Sequence, residues 1–390
     1  MDIFKNLEED VMEIDWHSSK NLVLLNTRIS QEDRLRIERF VNSDTILTGH
    51  IWLATSGSTS QYKLVALSKN ALLTSAKAIN EHFQCNKNDV WMNPLPIFHV
   101  GGLGILARGF LSQSKIVQYQ EKWNVHSFNK HLCEAQGTLT ALVPTQVYDL
   151  VVNQLRAPKC LRATIVGGGN LSEDLYFQGN ALGWNLHPSY GLTECCSQVA
   201  TAEYDHDQSE YPKLRLLNHI EAKINSHGCI CLRSKALLSC YALWAQDRYQ
   251  MINPKVDEWF TSEDRGELHY PYLNIFGRDQ NFVKVGGESV DIGKLEKILE
   301  SLKLSLKLDK EVIVVGVRDP RLGHSIHLVV ARSNPSETQE LVEAFNRIVL
   351  PFERIRQIHD IDSIPRSPLN KVLKEELLSK IGMEEKGKKQ

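Results

Sequence analysis

The sequence predicts an α/β protein: a large layered N-terminal unit, residues 1–278, followed by a small α+β unit, residues 279–390. Three changes of grain along the chain predict it. Residues from about 50 to 190 alternate short β-type runs with longer amphipathic segments, the pattern of strands and helices in layers. Residues 214–280 carry short alternating runs with turn signals between them, as antiparallel β structure does. After Asp279, helix and strand patterns follow one another over about a hundred residues, a normal size for a compact domain.

The first strand candidate is Ile51–Ala54, an apolar run that feeds the hydroxyl- and glycine-rich stretch Thr55-Ser56-Gly57-Ser58-Thr59-Ser60 before Lys63. Thr138–Val143 reads as a second strand, and Pro144 opens a helix through Leu155, since proline fits the first helical turn. Arg162–Val166 is a further strand that ends in Gly167-Gly168-Gly169. In the C-terminal unit Ile292–Leu302 reads as a helix, Glu311–Val317 as a buried strand, His324–Ala331 as another strand and Glu337–Leu350 as a helix. The charged tail, residues 384–390, has nothing to bury and is expected to be disordered.

A formal net charge of -2 argues against a general affinity for nucleic acid or anionic membrane. No apolar run reaches membrane-spanning length, and residues 1–10 are too polar and acidic for a secretory signal, so the expected location is the cytoplasm. Cys195-Cys196 and the Cys229/Cys231 pair lack metal-site spacing with partner ligands. The eight cysteines are therefore expected to be free thiols in a reducing compartment.

The chemistry is carried by the run from Thr55 to Lys63. Glycine permits close backbone approach to a bulky anion, hydroxyls and amides donate to phosphate oxygens, and lysine adds a point charge. Read alone, the cluster fits an ordinary turn equally well. Five more segments follow it in order: Pro94-Leu95-Pro96-Ile97-Phe98-His99-Val100-Gly101-Gly102; Gly167-Gly168-Gly169; Ser189-Tyr190-Gly191-Leu192-Thr193-Glu194; Trp259–Leu268 with Gly277-Arg278-Asp279; and Ile364-Pro365-Arg366-Ser367-Pro368-Leu369-Asn370-Lys371. In that order they resemble the adenylate-forming acyl/aryl-CoA synthetases, from the phosphate loop to the C-terminal lysine.

The resemblance implies an enzyme that joins a carboxylic acid to ATP as an acyl-adenylate, then transfers the acyl group to coenzyme A. It implies that Thr55, Ser56, Gly57, Ser58, Thr59 and Lys63 hold the β- and γ-phosphates, and that Glu194 holds Mg²⁺ while Thr193 donates to the α-phosphate. A carboxylate oxygen is the hard ligand Mg²⁺ prefers. Gly167, Gly168, Gly169, Ser189, Tyr190 and Gly191 would line the adenine, and Asp264 would accept the ribose hydroxyls with Arg278 assisting. Lys371 resembles the lysine that bridges carboxylate and α-phosphate. Asp279 resembles the hinge about which a mobile small domain turns, exchanging Lys371 for Lys284, Gly286 and Gly287 beside the arm of coenzyme A.

Within the family, local details resemble the branch that activates o-succinylbenzoate in menaquinone biosynthesis: the His99–Gly102 segment running to Arg108, Leu142-Val143-Pro144-Thr145-Gln146, Asp264-Arg265-Gly266-Glu267-Leu268 and Val285-Gly286-Gly287-Glu288. That acid keeps a second carboxylate after the first is activated, so its pocket needs a cation. Arg108, nine residues after His99, is the basic residue placed to supply it. An arginine at the exposed end of the same helix is the alternative. His99 and Gly102 would shape the acyl pocket. His99 is not needed as a base, because a carboxylate is already ionised at neutral pH.

Two departures stand out. Ser60-Gln61-Tyr62 precede Lys63 where the family has Gly-x-Pro, and Asn370 replaces a glycine before the lysine. The phosphate loop also begins at Thr55, where relatives carry a further subdomain first. The chain therefore reads as a short form with a flank that a second copy could cover, as a homo-oligomer.

Overall fold

The computed structural model describes residues 14–382 except 28, 45–46, 57–61, 279–281, 286–287, 309, 320, 333 and 368–371. The charged tail, Asp279, Gly286, Gly287, Lys371 and the centre of the glycine-rich loop lie outside the described residues.

Strands His50–Ser56 and Tyr62–Ser68 form an antiparallel hairpin with Thr55 opposite Lys63. Ile51, Trp52, Leu53 and Leu64–Leu67 are all buried, so both faces of the hairpin are covered. The hairpin sits at the centre of a five-stranded sheet, between Leu22–Leu24 on one side and Cys240–Ala245 with Arg248–Ile252 on the other. Strands and helices alternate from this hairpin through helix Lys69–His82 as expected, but the parallel strands begin only at Val90. The glycine-rich stretch lies between the two strands of a hairpin whose neighbour comes from far along the chain.

The main sheet has a parallel half and an antiparallel half. Lys115–Gln118, Val90–Asn93, Leu139–Leu142, Ala163–Val166 and Leu186–Leu192 run parallel. Helices Val100–Ser112, Val125–Glu134, Pro144–Val152 and Glu173–Ala181 connect them. Side-chain caps start three of the helices that flank the sheet: Ser68, Asn124 and Ser172 accept from the backbone N–H of Ala71, Ser127 and Leu175. Pro144 opens its helix as expected, with the Gln146 side chain accepting from Val143 N–H at 3.0 Å. That helix ends at Val152, three residues before the expected Leu155. Gln154 turns left-handed at φ 52° and folds Leu155 N–H back onto Leu150 O. The antiparallel half follows the expectation for residues 214–280, with Leu214–Leu216, Glu221–Ile224, Cys229–Arg233, Trp259–His269 and Tyr272–Arg278.

The C-terminal residues build a third sheet from Phe282–Val285, Glu288–Asp291, Val312–Asp319, Gly323–Ala331 and Ile355–Ile361. Helices Ile292–Ser305 and Pro335–Ile348 sit where the sequence places helices; the Phe282–Asp291 hairpin and the strand Ile355–Ile361 were not expected. Two hydrophobic clusters drawn from residues 283–381 fill this part. Its helix Ile292–Ser305 faces the large part: Tyr148 donates to Leu308 O at 3.2 Å, Lys303 lies 4.8 Å over the Tyr148 ring, and Ser301 bonds Asp174.

One polar clamp ties the parallel half together. The carboxylate of Asp89, just before Val90–Asn93, takes two bonds of 2.8 Å from the Arg162 guanidinium, just before Ala163–Val166. Thr138 donates to the same carboxylate at 2.7 Å, and Arg162 also reaches Phe83 O and Tyr204 OH. Burial pushes the Asp89 carboxyl upward, but the hydrogen bonds from Arg162, Asn86 and Thr138 prevail and hold it below the usual range. Its stabilising contribution is therefore present at neutral pH and is lost as pH falls through the depressed value. Asp89→Asn should lower stability at pH 7 by about 3 kcal/mol, the cost of leaving a partly buried guanidinium unpaired. The gap to wild type should narrow as the pH of denaturant unfolding drops below the ordinary carboxylate range; a constant gap would remove the clamp.

Candidate active site

The site forms where the main sheet changes sense. Residues 186–188 of strand Leu186–Leu192 pair in parallel with residues 164–166, while residues 189–192 pair antiparallel with residues 197–201. The chain reverses through a tight turn at Thr193–Cys195, with Cys196 left-handed at φ 54°. Gly191 lies at a bulge so close to the returning strand that a Cβ there would stand 1.9 Å from Ser197 O. Only glycine fits. Carboxyl ends of parallel strands beside such a switch are where ligands of α/β sheets bind.

Gly167, Gly168 and Gly169 leave the neighbouring strand alongside, Gly168 at φ 79°. Ser189 donates to Val166 O at 3.2 Å and thereby fastens the two strand ends together. Tyr190 donates its phenol to Asp264 Oδ2 at 2.8 Å, and Asp264 stands opposite Arg278 in the next hairpin. Burial, and then the Asp264 charge, push the Tyr190 phenol far up, so it remains a donor. Glycines, Tyr190 and a buried carboxylate thus converge, as a nucleoside needs. The Arg278 backbone is in place; its side chain lies outside the described residues.

Glu194 joins this sheet to the five-stranded one. Its backbone carbonyl accepts from Leu238 N–H at 2.7 Å. Its carboxylate Oε1 accepts from Tyr241 OH at 2.7 Å and from Lys63 Nζ at 3.3 Å. Lys63 Nζ also lies 4.2 Å above the Tyr241 ring. The glycine-rich hairpin is thereby brought to Thr193 and Glu194, though residues 57–61 and the side chains of Thr55 and Ser56 are outside the described residues. Burial, then the Glu194 charge, raise the Tyr241 phenol, which stays protonated and donating. Sequence reading overlooked Tyr241: it stands in an ordinary alternating strand, and no local signal marks it.

His99 sits at the N-terminus of helix Val100–Ser112, its ring 4.7 Å from that of Phe98. Gly102 is pressed against Pro96, where a Cβ would come within 2.5 Å of the carbonyl oxygen. Arg108 is 2% exposed, which excludes the solvent-facing alternative. Its Nη2 points at Ser197 Oγ, 3.4 Å away, and its guanidinium lies 5.4 Å from the Trp91 ring. No carboxylate answers it: among the described residues Nε and Nη1 have no hydrogen-bond partner. Burial lowers its pKa to about 10, so it is still a cation at neutral pH. Both atoms of the Gln198 amide are likewise buried without partners. Ser197 and Gln198, which sequence reading also missed, follow the Glu194 turn in the chain, so the Arg108 guanidinium lies beside the strand that leaves that turn.

Lys284 lies in strand Phe282–Val285 with its side chain outside the described residues. Arg366 and Val372, on either side of the undescribed residues 368–371, form a bridge, and Arg366 pairs with Glu311 at 2.9 Å. Among the described residues no three His, Cys, Asp or Glu side chains gather as a metal site, and no helix is long and apolar enough to cross a membrane. All eight cysteines are free thiols.

Residues 50–242 match the family model of AMP-binding enzymes. The 2-succinylbenzoate–CoA ligase of Escherichia coli (strain K12) is 30% identical over 271 residues, covering 69% of this chain and 56% of the relative. The ligase of the same name from Bacillus subtilis (strain 168) is 24% identical over 360 residues, covering 88% and 71%. Curated relatives are matched over 56% to 71% of their own length. Among solved structures, the Bacillus subtilis o-succinylbenzoate CoA synthetase in complex with the acyl-adenylate intermediate OSB-AMP superposes with a TM-score of 0.77 at 21% identity, covering 92% of this chain and 82% of that one. An arginine-to-lysine variant of the Escherichia coli protein MenE with bound OSB-AMS has a TM-score of 0.64 at 25% identity, covering 80% and 65%.

An unanswered buried cation opposes folding, so Arg108→Met, which keeps the side chain's length, should raise stability by about 1–4 kcal/mol. Thermal or denaturant unfolding of the ligand-free protein reads this directly. A destabilised variant would mean that the charge has a partner.

Proposed function

This chain belongs to the AMP-binding enzymes, and from that premise we propose that it activates o-succinylbenzoate with ATP and passes it to coenzyme A. The observation that carries the choice of acid is Arg108. A guanidinium buried beside Trp91 and Ser197, without a counter-ion among the described residues, suits an acid that retains a carboxylate after its first is consumed. A fatty acid or a simple benzoate would leave that charge uncompensated.

In the first step a carboxylate oxygen attacks the α-phosphorus of ATP, forming the acyl–phosphate bond as pyrophosphate leaves. Two anions must approach, so aligned donors and cations lower the barrier. The glycine-rich turn between the hairpin strands offers amides and hydroxyls to the outer phosphates, and Lys63 moves from Glu194 towards them. Asp264, oriented by Tyr190, accepts the ribose hydroxyls. The Glu194 carboxylate fits Mg²⁺: Oε1 is held by Tyr241 and Lys63, while Oε2 has no hydrogen bond among the described residues. One protein carboxylate with substrate phosphates is an ordinary Mg²⁺ environment. Bound there, the ion would neutralise phosphate charge during the attack.

The second step needs other groups. A thiolate attacks the acyl carbonyl, the thioester bond forms and AMP departs. Residues 1–278 and 279–390 act here as two domains, turning about Asp279 to withdraw Lys371 and to bring Lys284, Gly286 and Gly287 to the coenzyme A arm. The turn breaks the contacts of Tyr148 and Asp174 with helix Ile292–Ser305.

Pyrophosphate release should appear with o-succinylbenzoate and not with benzoate or a fatty acid; release with none of them would leave a nucleotide-binding protein without turnover. Arg108→Ala should raise KM for the diacid by at least about tenfold, a loss of about 1.4 kcal/mol or more. Lys371→Ala should abolish adenylate formation yet spare attack of coenzyme A on preformed adenylate. Equal loss of both half-reactions would remove the rotation.

A further inference from the structure

Glu194 is gripped from the opposite sheet by a residue outside every motif that identifies the family resemblance. Tyr241 lies in strand Cys240–Ala245, which pairs with Tyr62–Ser68 through Tyr241 opposite Val65. Its ring underlies Lys63 Nζ at 4.2 Å, and its phenol donates to Glu194 Oε1 at 2.7 Å. The Glu194 side chain is 14% exposed and Lys63 32%, so the contact is shielded but reachable by a phosphate. Backbone bonds from Leu238 N–H to Glu194 O and from Ser239 N–H to Ala66 O fix where this strand begins. Tyr241 is therefore held against both the phosphate-loop strand and the Glu194 turn.

We propose that Tyr241 is the positioning residue for Glu194, fixing Oε1 so that Oε2 is presented to the divalent cation, and that its ring parks Lys63 when no phosphate is bound. A carboxylate on a free rotor would be drawn fully onto Lys63, the nearest cation. With Oε1 engaged by a neutral donor, Lys63 can leave for the nucleotide without releasing the glutamate. The ring face makes the departure reversible, since a cation–π contact is weaker than a desolvated ion pair and surrenders its lysine to a phosphate. Tyr241 touches neither phosphate nor acyl group in this arrangement; it acts through Glu194. The inference rests on the proposed role of Glu194 in holding Mg²⁺.

Tyr241→Phe tests it, because the ring under Lys63 survives and only the phenol is lost. Binding of a non-hydrolysable ATP analogue, followed by calorimetry during a Mg²⁺ titration, needs no turnover. Loss of an outer partner of a metal-holding carboxylate reduces metal affinity about 10- to 100-fold. The variant should show a half-saturating Mg²⁺ concentration at least about tenfold higher, while binding of the analogue at saturating Mg²⁺ is retained. In a Glu194→Gln background the same substitution should have no further effect on the Mg²⁺ titration. An unshifted Mg²⁺ curve in Tyr241→Phe, with wild type binding normally, would overturn the positioning role alone. A wild-type protein whose analogue binding is indifferent to Mg²⁺ would overturn the reading of Glu194 and this inference with it.

Discussion

The site depends on one junction, the turn at Thr193–Cys195, where the main sheet is fastened to the five-stranded sheet through Glu194. The backbone carbonyl of Glu194 accepts from Leu238 and its carboxylate from Tyr241 and Lys63. A single residue thus couples the hairpin that bears Lys63 to the strand end that bears Ser189 and Tyr190. The turn itself exists because Leu186–Leu192 serves two partners of opposite sense, which Gly191 permits by letting backbones meet at a distance no side chain tolerates. Sheet topology therefore determines which groups converge, and the substituents at the turn determine what they do.

The parallel half of the sheet is the rigid reference for this junction. Its central strands are buried on both faces, and the Asp89–Arg162 clamp fixes their amino ends. The glycines after Val166 and the segment after Leu192 leave from the opposite, carboxyl ends. Stability and chemistry are thereby separated along the strands, and loops can vary at one end while the other holds register.

Much of this was legible in the sequence because it is local. Pro144 announces its helix, apolar runs announce Leu139–Leu142 and Ala163–Val166, and two C-terminal helices and two strands fall within three residues of the expected ends. The burial of Arg108 follows from its place on an apolar helix. What stayed hidden is long-range pairing. Periodicity says that His50–Ser56 and Cys240–Ala245 are strands; it does not say that they share a sheet. For the same reason Tyr241 and Ser197 carried no signal: their partners, Glu194 and Arg108, are set by tertiary packing. The edge strand Ile355–Ile361 went unread because its exposed and buried positions mix charge with isoleucine.

The buried Arg108 guanidinium, without a counter-ion among the described residues, bears on more than the proposed choice of acid. If the substrate supplies the missing counter-ion, it completes the interior of the protein as well as occupying a site. A ligand at about a hundred times its dissociation constant stabilises the folded state by about 2.7 kcal/mol. Chains short of substrate would open more often and be degraded sooner, while a flux of diacid would preserve them. The lifetime of this protein in a cell would then track the supply of that ligand.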